Sequence, residues 1–128
     1  SAASDVYKRQ DSYNANPDSM KAAINVLKSY TGDRKIAVLG TMGELGDYAN
    51  IAHKEVGEFA KGKADILLTT GEYKDSYKEG FGTNTLVFDT KDDLIKSLNS
   101  MIKDEDTILV KASRSAKFEE IIKEIQNK

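Results

Sequence analysis

Three polar stretches of this chain carry the residue types of a ligand site. Asp11-Ser-Tyr-Asn-Ala-Asn-Pro17 offers a carboxylate, a hydroxyl, a phenol and the amides of Asn14 and Asn16. Leu39-Gly-Thr-Met-Gly-Glu-Leu-Gly46 sets the Thr41 hydroxyl and the Glu44 carboxylate among glycines. Lys111-Ala-Ser-Arg-Ser115 places a guanidinium between two hydroxyls. Amides both donate and accept hydrogen bonds, and a guanidinium grips a carboxylate at two points. Each stretch adjoins an apolar run or a helix start, which is where α/β proteins build ligand sites. Together they read as one composite site.

Other residues invite chemistry less. Gly40, Gly43 and Gly46 lack the spacing of a dinucleotide fingerprint, and as a bare loop they read as structural. His53 falls inside a predicted helix, away from other ligand-type residues, which favours packing or solvent exposure over catalysis. No His/Asp/Glu cluster has metal-ligand spacing, so no metal site is expected. Lys111 can simply end its strand. The chain has no cysteine, which excludes thiol catalysis and disulfides.

The elements that must position these loops alternate. Asn16 is expected to cap a helix, with Pro17 at its first position, where the missing N–H costs nothing. Met20, Ala23, Ile24 and Leu27 recur at helical spacing. A strand follows at Lys35 to Leu39. A helix opening near Asp47 carries Ala52, Val56, Phe59 and Ala60 inward. Further strands are expected at 66–68, 85–88 and 107–110. A short helix from Tyr73 is expected to end at Gly80. Thr90 with Asp93 resembles a capping box before Leu94, Ile95, Leu98, Met101 and Ile102. Ser115 is expected to cap the last helix, whose inner face is Phe118, Ile121, Ile122 and Ile125. Short continuous apolar strands are usually buried on both faces, hence parallel. The fold class that follows is α/β, a three-layer Rossmann-like sandwich with a mostly parallel sheet.

With 128 residues the chain fits one domain, large enough to bury a core without staples. Residues 1–10 read as a tail, an expression remnant or a poorly specified edge strand, and residues 11–128 as the folded domain. The net charge of −2 argues against nucleic-acid binding through a basic patch. No apolar run approaches membrane-spanning length and no signal peptide is visible, so a cytoplasmic location is the expectation.

DSYNANPDSMKAA, then KIAVLGTMGELGDYAN with His53 close behind, then ILVKASRSAKFEEI, resemble the C-terminal domain of the Mur ligases. The resemblance covers about Asp11 to Ile125. It implies a Rossmann-like domain that closes over ATP and an incoming amino acid or dipeptide. The phosphate-binding loop and Mg would belong to a central domain, and the UDP-linked precursor to a first domain; this sequence has no G-x-x-x-x-G-K-[ST] stretch. The wording is nearest to ligases that add D-Ala-D-Ala to UDP-MurNAc-tripeptide through an acyl phosphate. Carried over, Asp11, Tyr13, Asn14 and Asn16 would lie near the nucleotide. Thr41, Glu44, Ser113, Arg114 and Ser115 would lie near the incoming substrate. No catalytic residue is expected in this domain, and alone it is expected to be inactive. The family usually has Asp where this chain has Thr41 and Gly where it has Ala112. A folylpolyglutamate-type ligase domain and a non-enzymatic α/β binding module are the competing readings. A phospho-receiver is disfavoured because the second strand ends in Thr69-Thr-Gly71, without an acidic cluster.

Overall fold

The protein is described here by a computed structural model over residues 6–7 and 15–126. Asp11, Tyr13 and Asn14 therefore lie outside the described residues. Strand β1 (Val6–Tyr7) is followed by helix α1 (Pro17–Ser29), β2 (Arg34–Leu39), α2 (Ala49–Ala60), β3 (Ile66–Thr70), α3 (Lys74–Phe81), β4 (Thr85–Phe88), α4 (Lys91–Met101), β5 (Asp106–Lys111) and α5 (Glu119–Gln126). The strands form one sheet of order β1-β5-β2-β3-β4. Every pairing is parallel, as the apolar runs required. The edge pairing of β1 sets Val6 against Ile108 and Tyr7 against Leu109.

The pleat of the strands divides the core in two. Ala37, Leu39, Leu67 and Leu109 face α1, α2 and α3, where Met20, Ala23, Ile24, Leu27, Ala52, Val56 and Tyr77 meet them. Ile36, Val38, Leu68, Ile108 and Val110 face α4 and α5, against Leu94, Leu98, Ile121, Ile122 and Ile125. Alternate residues of a strand point to opposite faces, so a four-residue apolar run feeds both layers at once. The three-layer sandwich follows directly.

Local chemistry starts the helices. The Asn16 side chain accepts from Ser19 N–H (2.9 Å) and the Ser19 hydroxyl receives the Asn16 N–H (3.0 Å), a reciprocal cap ahead of Pro17. The Thr90 hydroxyl accepts the Asp93 N–H at 3.0 Å and caps α4. At the far end of the central strand pair, Arg34 grips buried Asp106 with Nε–Oδ1 3.0 Å and Nη2–Oδ2 2.7 Å, and also reaches the Met101 carbonyl (2.7 Å). The Lys103 N–H completes the carboxylate's partners at 2.8 Å. Such a fork satisfies a buried charge with several donors.

Four local expectations are corrected. Asp47 does not open α2; it sits in a 3₁₀ turn, Gly46–Tyr48, and α2 begins at Ala49. Ser115 does not cap α5; it lies in a second 3₁₀ turn, Arg114–Ala116, and Lys117 in left-handed conformation (φ 55°) resets the chain before Glu119. Phe118 is buried ahead of the helix rather than on its face. Gly80 does not end α3, which runs to Phe81. Instead Gly80 faces α2 across a backbone-to-backbone contact, where a Cβ would stand 2.1 Å from the Lys54 carbonyl oxygen. Gly57 answers from α2, since its Cβ would meet the Tyr77 carbonyl oxygen at 2.6 Å.

Gly80→Ala should therefore lower stability despite alanine's better helix propensity. Overpacking costs about 1–3 kcal/mol, against about 1 kcal/mol gained from propensity, so the net is a loss of up to ~2 kcal/mol. Chemical denaturation of the purified chain measures it; an increase in stability would show that the two helices are not in backbone contact.

Candidate functional site

Ligand crevices in parallel sheets open where loops from neighbouring strands leave for opposite faces. β2 leads to α2 on one face, and its neighbour β5 leads to α5 on the other. The two loops diverge at their carboxyl ends, and a cleft of about 420 Å³ opens between them, lined by Ala15, Asn16, Gly43, Glu44, Leu45, Ser113, Arg114 and Ser115. Asn16, Glu44, Ser113, Arg114 and Ser115 are thus brought together from three distant parts of the chain. β3 and β4 diverge likewise. A second cleft of about 350 Å³ lies there, lined by Thr41, Thr70, Gly71, Asp89, Thr90, Lys91, Ser115, Ala116 and Phe118. Thr41 belongs to this second cleft, and Ser115 lines both.

The loop after β2 is held from both sides. Gly40 N–H donates to the Lys111 carbonyl (3.0 Å), and Ser113 N–H donates to the Thr41 carbonyl (2.8 Å). These bonds extend the β2–β5 ladder past its strands. They require close packing: a Cβ on Gly40 would stand 2.5 Å from Phe118 Cζ and 2.8 Å from Ala112 Cβ. From the other side the Tyr77 hydroxyl donates to the Gly40 carbonyl at 2.7 Å.

His53 supplies the fourth anchor, and sequence reasoning gave it no such part. Its Nε2 accepts the Met42 N–H at 2.9 Å. Its Nδ1 lies 2.6 Å from the Ala49 carbonyl oxygen, so Nδ1 carries the proton and the ring is neutral. The ring is fully buried, stacked on Tyr73 at 4.4 Å and met edge-on by Tyr77 at 5.2 Å. Burial pushes its pKa below the ordinary imidazole range, and the Ala49 carbonyl and the Glu72 charge offset part of that. Burial likewise pushes the Tyr77 phenol up, keeping it a donor. The signal for His53 was the helix position itself: its partner is a backbone N–H eleven residues upstream, which no side-chain motif reports.

Beyond Met42 the loop carries an unusual backbone. Glu44 is left-handed at φ 60°, a region that costs a non-glycine residue about 1–3 kcal/mol and that collects at ligand sites. It presents an exposed carboxylate to the cleft. Across from it, the Ser113 and Ser115 hydroxyls lie 3.2 Å apart beside Arg114. Asn16 has its side-chain oxygen committed to capping α1. In the second cleft Lys91 is turned to α5, bridging Glu120 at 2.6 Å and reaching the Ala116 and Lys117 carbonyls at 3.2 and 3.3 Å. That bridge holds the Glu120 carboxyl below its ordinary pKa. Among the described residues, no three Asp, Glu or His side chains gather as metal ligands, and no helix is long and apolar enough to cross a membrane.

Known proteins resemble this chain in both sequence and fold. The chain is 38% identical over 126 residues to the UDP-N-acetylmuramoyl-tripeptide–D-alanyl-D-alanine ligase of Bacillus subtilis (strain 168), covering 90% of this chain and 27% of that protein. It is 40% identical over 119 residues to the ligase of the same name from Escherichia coli (strain K12), covering 91% and 26%. Among solved structures, MurF from Acinetobacter baumannii superposes with a TM-score of 0.80 at 31% identity, over 92% of this chain and 27% of that one. MurF from Thermotoga maritima in complex with ADP gives 0.78 at 28% identity, over 97% and 30%. The chain thus spans about a quarter of the length of the relatives it matches. The family model described as "Mur ligase, glutamate ligase domain" matches residues 3–114, a span that holds β1 through β5 and both loops of the first cleft up to Arg114, and the chain belongs to that family.

Proposed function

We propose that this chain is the C-terminal, substrate-closing domain of an ATP-dependent ligase that joins D-Ala-D-Ala to UDP-MurNAc-tripeptide in peptidoglycan precursor synthesis. The observation that carries the proposal is the first cleft. Asn16, Glu44 and Ser113 to Ser115 meet at the switch point between β2 and β5, although nearly a hundred residues separate Asn16 from Ser113. The names of the relatives favour a muramoyl-peptide ligase over a folylpolyglutamate-type enzyme or a non-enzymatic binding module.

In this reading a carboxylate is activated as an acyl phosphate, and the dipeptide amine displaces phosphate to form the amide. The role of this domain is to hold and orient. Arg114, flanked by Ser113 and Ser115, receives the dipeptide carboxylate through charge-assisted hydrogen bonds. Thr41 and Ser115 carry the substrate site into the second cleft. Asn16 lines the first cleft, and Asp11, Tyr13, Asn14 and Asn16 together serve the nucleotide. Their amide and hydroxyl groups suit ribose and base edges, whereas this sequence has no loop to cradle phosphates and Mg. Those contacts fall to a central domain, as does most nucleotide affinity. A cytoplasmic location fits a UDP-linked substrate.

In the full-length enzyme, Arg114→Ala should raise the KM for D-Ala-D-Ala by about 10- to 150-fold and leave the KM for ATP nearly unchanged, the loss of a charged hydrogen bond being worth about 1.5–3 kcal/mol. Steady-state kinetics with each substrate varied measures this; an unchanged dipeptide KM and kcat removes Arg114 from the site. Glu44→Gly should leave the stability of the isolated chain equal or higher, because relief of ~1 kcal/mol or more of left-handed strain offsets the ~0.4–1 kcal/mol entropy cost of glycine. The same variant should weaken the full-length enzyme's substrate binding. A stability loss above ~1 kcal/mol would show that Glu44 serves the fold and not the site. Calorimetry of this chain alone with Mg-ATP should give a Kd of about a millimolar or weaker, since a few hydrogen bonds at ~0.5–1.5 kcal/mol each barely exceed the cost of association. Micromolar binding with phosphate release would mean that these residues hold a complete site.

A further inference from the structure

We infer that His53 is a positioning residue for the cleft: its neutral imidazole holds the backbone that carries Gly43 and Glu44, and a proton at Nε2 releases that hold. The geometry leaves one acceptor for one donor. The Met42 N–H points at Nε2 (2.9 Å), and Nδ1–H is spent on the Ala49 carbonyl (2.6 Å). Met42 is itself buried, so its N–H has no ready water to turn to. Protonation would set an N–H against an N–H at this contact. Met42 is the last residue before the three that line the cleft, Gly43 to Leu45, and Glu44 already sits in a strained conformation that depends on its surroundings to persist. Loss of the Met42 anchor therefore acts first on Gly43 and Glu44.

The groups that face the imidazole set how it titrates. Tyr77 packs on it from α3, Tyr73 and Glu72 lie in the turn before that helix, and Ala49 and Met42 supply the carbonyl and the N–H. Burial outweighs the attraction of Glu72 and the Ala49 carbonyl, so the folded chain takes up the proton at lower pH than the unfolded chain does. The anchor is intact above an ordinary imidazole pKa of about 6.5. Stability declines as pH falls from there towards the lower folded value, and the anchor itself is released only as pH passes through that value. That the released segment matters to a ligand rests on the reading of the cleft given above; the coupling between proton and loop does not.

The chain contains a single histidine, so its imidazole resonance is unambiguous. The test is an NMR titration of this chain, isotopically labelled and without ligand, from pH ~8 to ~5 across the imidazole range. The amides of Met42, Gly43 and Glu44 should shift with the same midpoint as the His53 ring, below the ordinary value, while amides at the opposite edge, such as Gly62 and Thr83, stay still. His53→Gln has no titrating ring, and its loop amides should remain constant over the same interval; if that variant does not fold, the wild-type titration decides alone. A His53 ring that titrates without moving the loop amides overturns the inference. So does unfolding of the whole chain at the same midpoint, which would make His53 a general core residue. Because no ligand is used, either result leaves the assignment of the cleft to be judged by the Arg114 kinetics.

Discussion

The parallel pairing of β2 with β5 is the interaction on which the rest of this structure depends. These strands are far apart in sequence, lie side by side in the sheet and send their chains to opposite faces. A cleft between diverging loops exists only while the two strands stay in register. The register is clamped at both ends. Arg34 and Asp106 close one end with a two-point ion pair, and the Gly40–Lys111 and Thr41–Ser113 backbone bonds close the other. A slip of one residue would turn every core side chain to the wrong layer and break the clamp at the same time.

Several polar groups inside the molecule lie near this junction because the loops must turn there while buried. Each turn exposes backbone groups that water cannot reach, and each needs a partner. Tyr77 serves the Gly40 carbonyl and His53 serves the Met42 N–H, both from helices on the α2–α3 side. Their charges are kept off by burial, so they act as neutral donor and acceptor and not as ions. The cleft-lining side chains of Glu44, Arg114 and Ser115 are left exposed at the rim. The division is physical: neutral hydrogen bonds hold the frame, and charges face the opening.

Much of the architecture was legible in the sequence because its signals are local. Runs such as Ile36 to Leu39 and Thr107 to Val110 are continuous and apolar, and only doubly covered strands need that. The start of α1 was legible because Asn16 and Pro17 signal it side by side, though the reciprocal bond with Ser19 was not foreseen. Misreadings arose where a local rule met a distant partner. Gly80 looks like a helix stop, but its missing side chain answers α2. Ser115 looks like a cap, but Phe118 must first be buried, and the left-handed turn at Lys117 delays the helix. Thr41 and Glu44 share one loop, yet they line neighbouring clefts, which their spacing in sequence does not reveal. The part of His53 could not be read, because its partner is a main-chain N–H and leaves no trace in residue identity.

The contact between Gly57 and Gly80 has a mechanical consequence. Two helices whose backbones touch have no side-chain layer between them to deform, so neither slides without the other. Through Tyr77 and His53 they also grip the main chain of the β2 loop. Helices, loop and the strand edge beneath them therefore transmit displacement like a single casting. A force applied to the outer surface of α3 would reach the main chain of the β2 loop at Gly40 and Met42, through Tyr77 and His53.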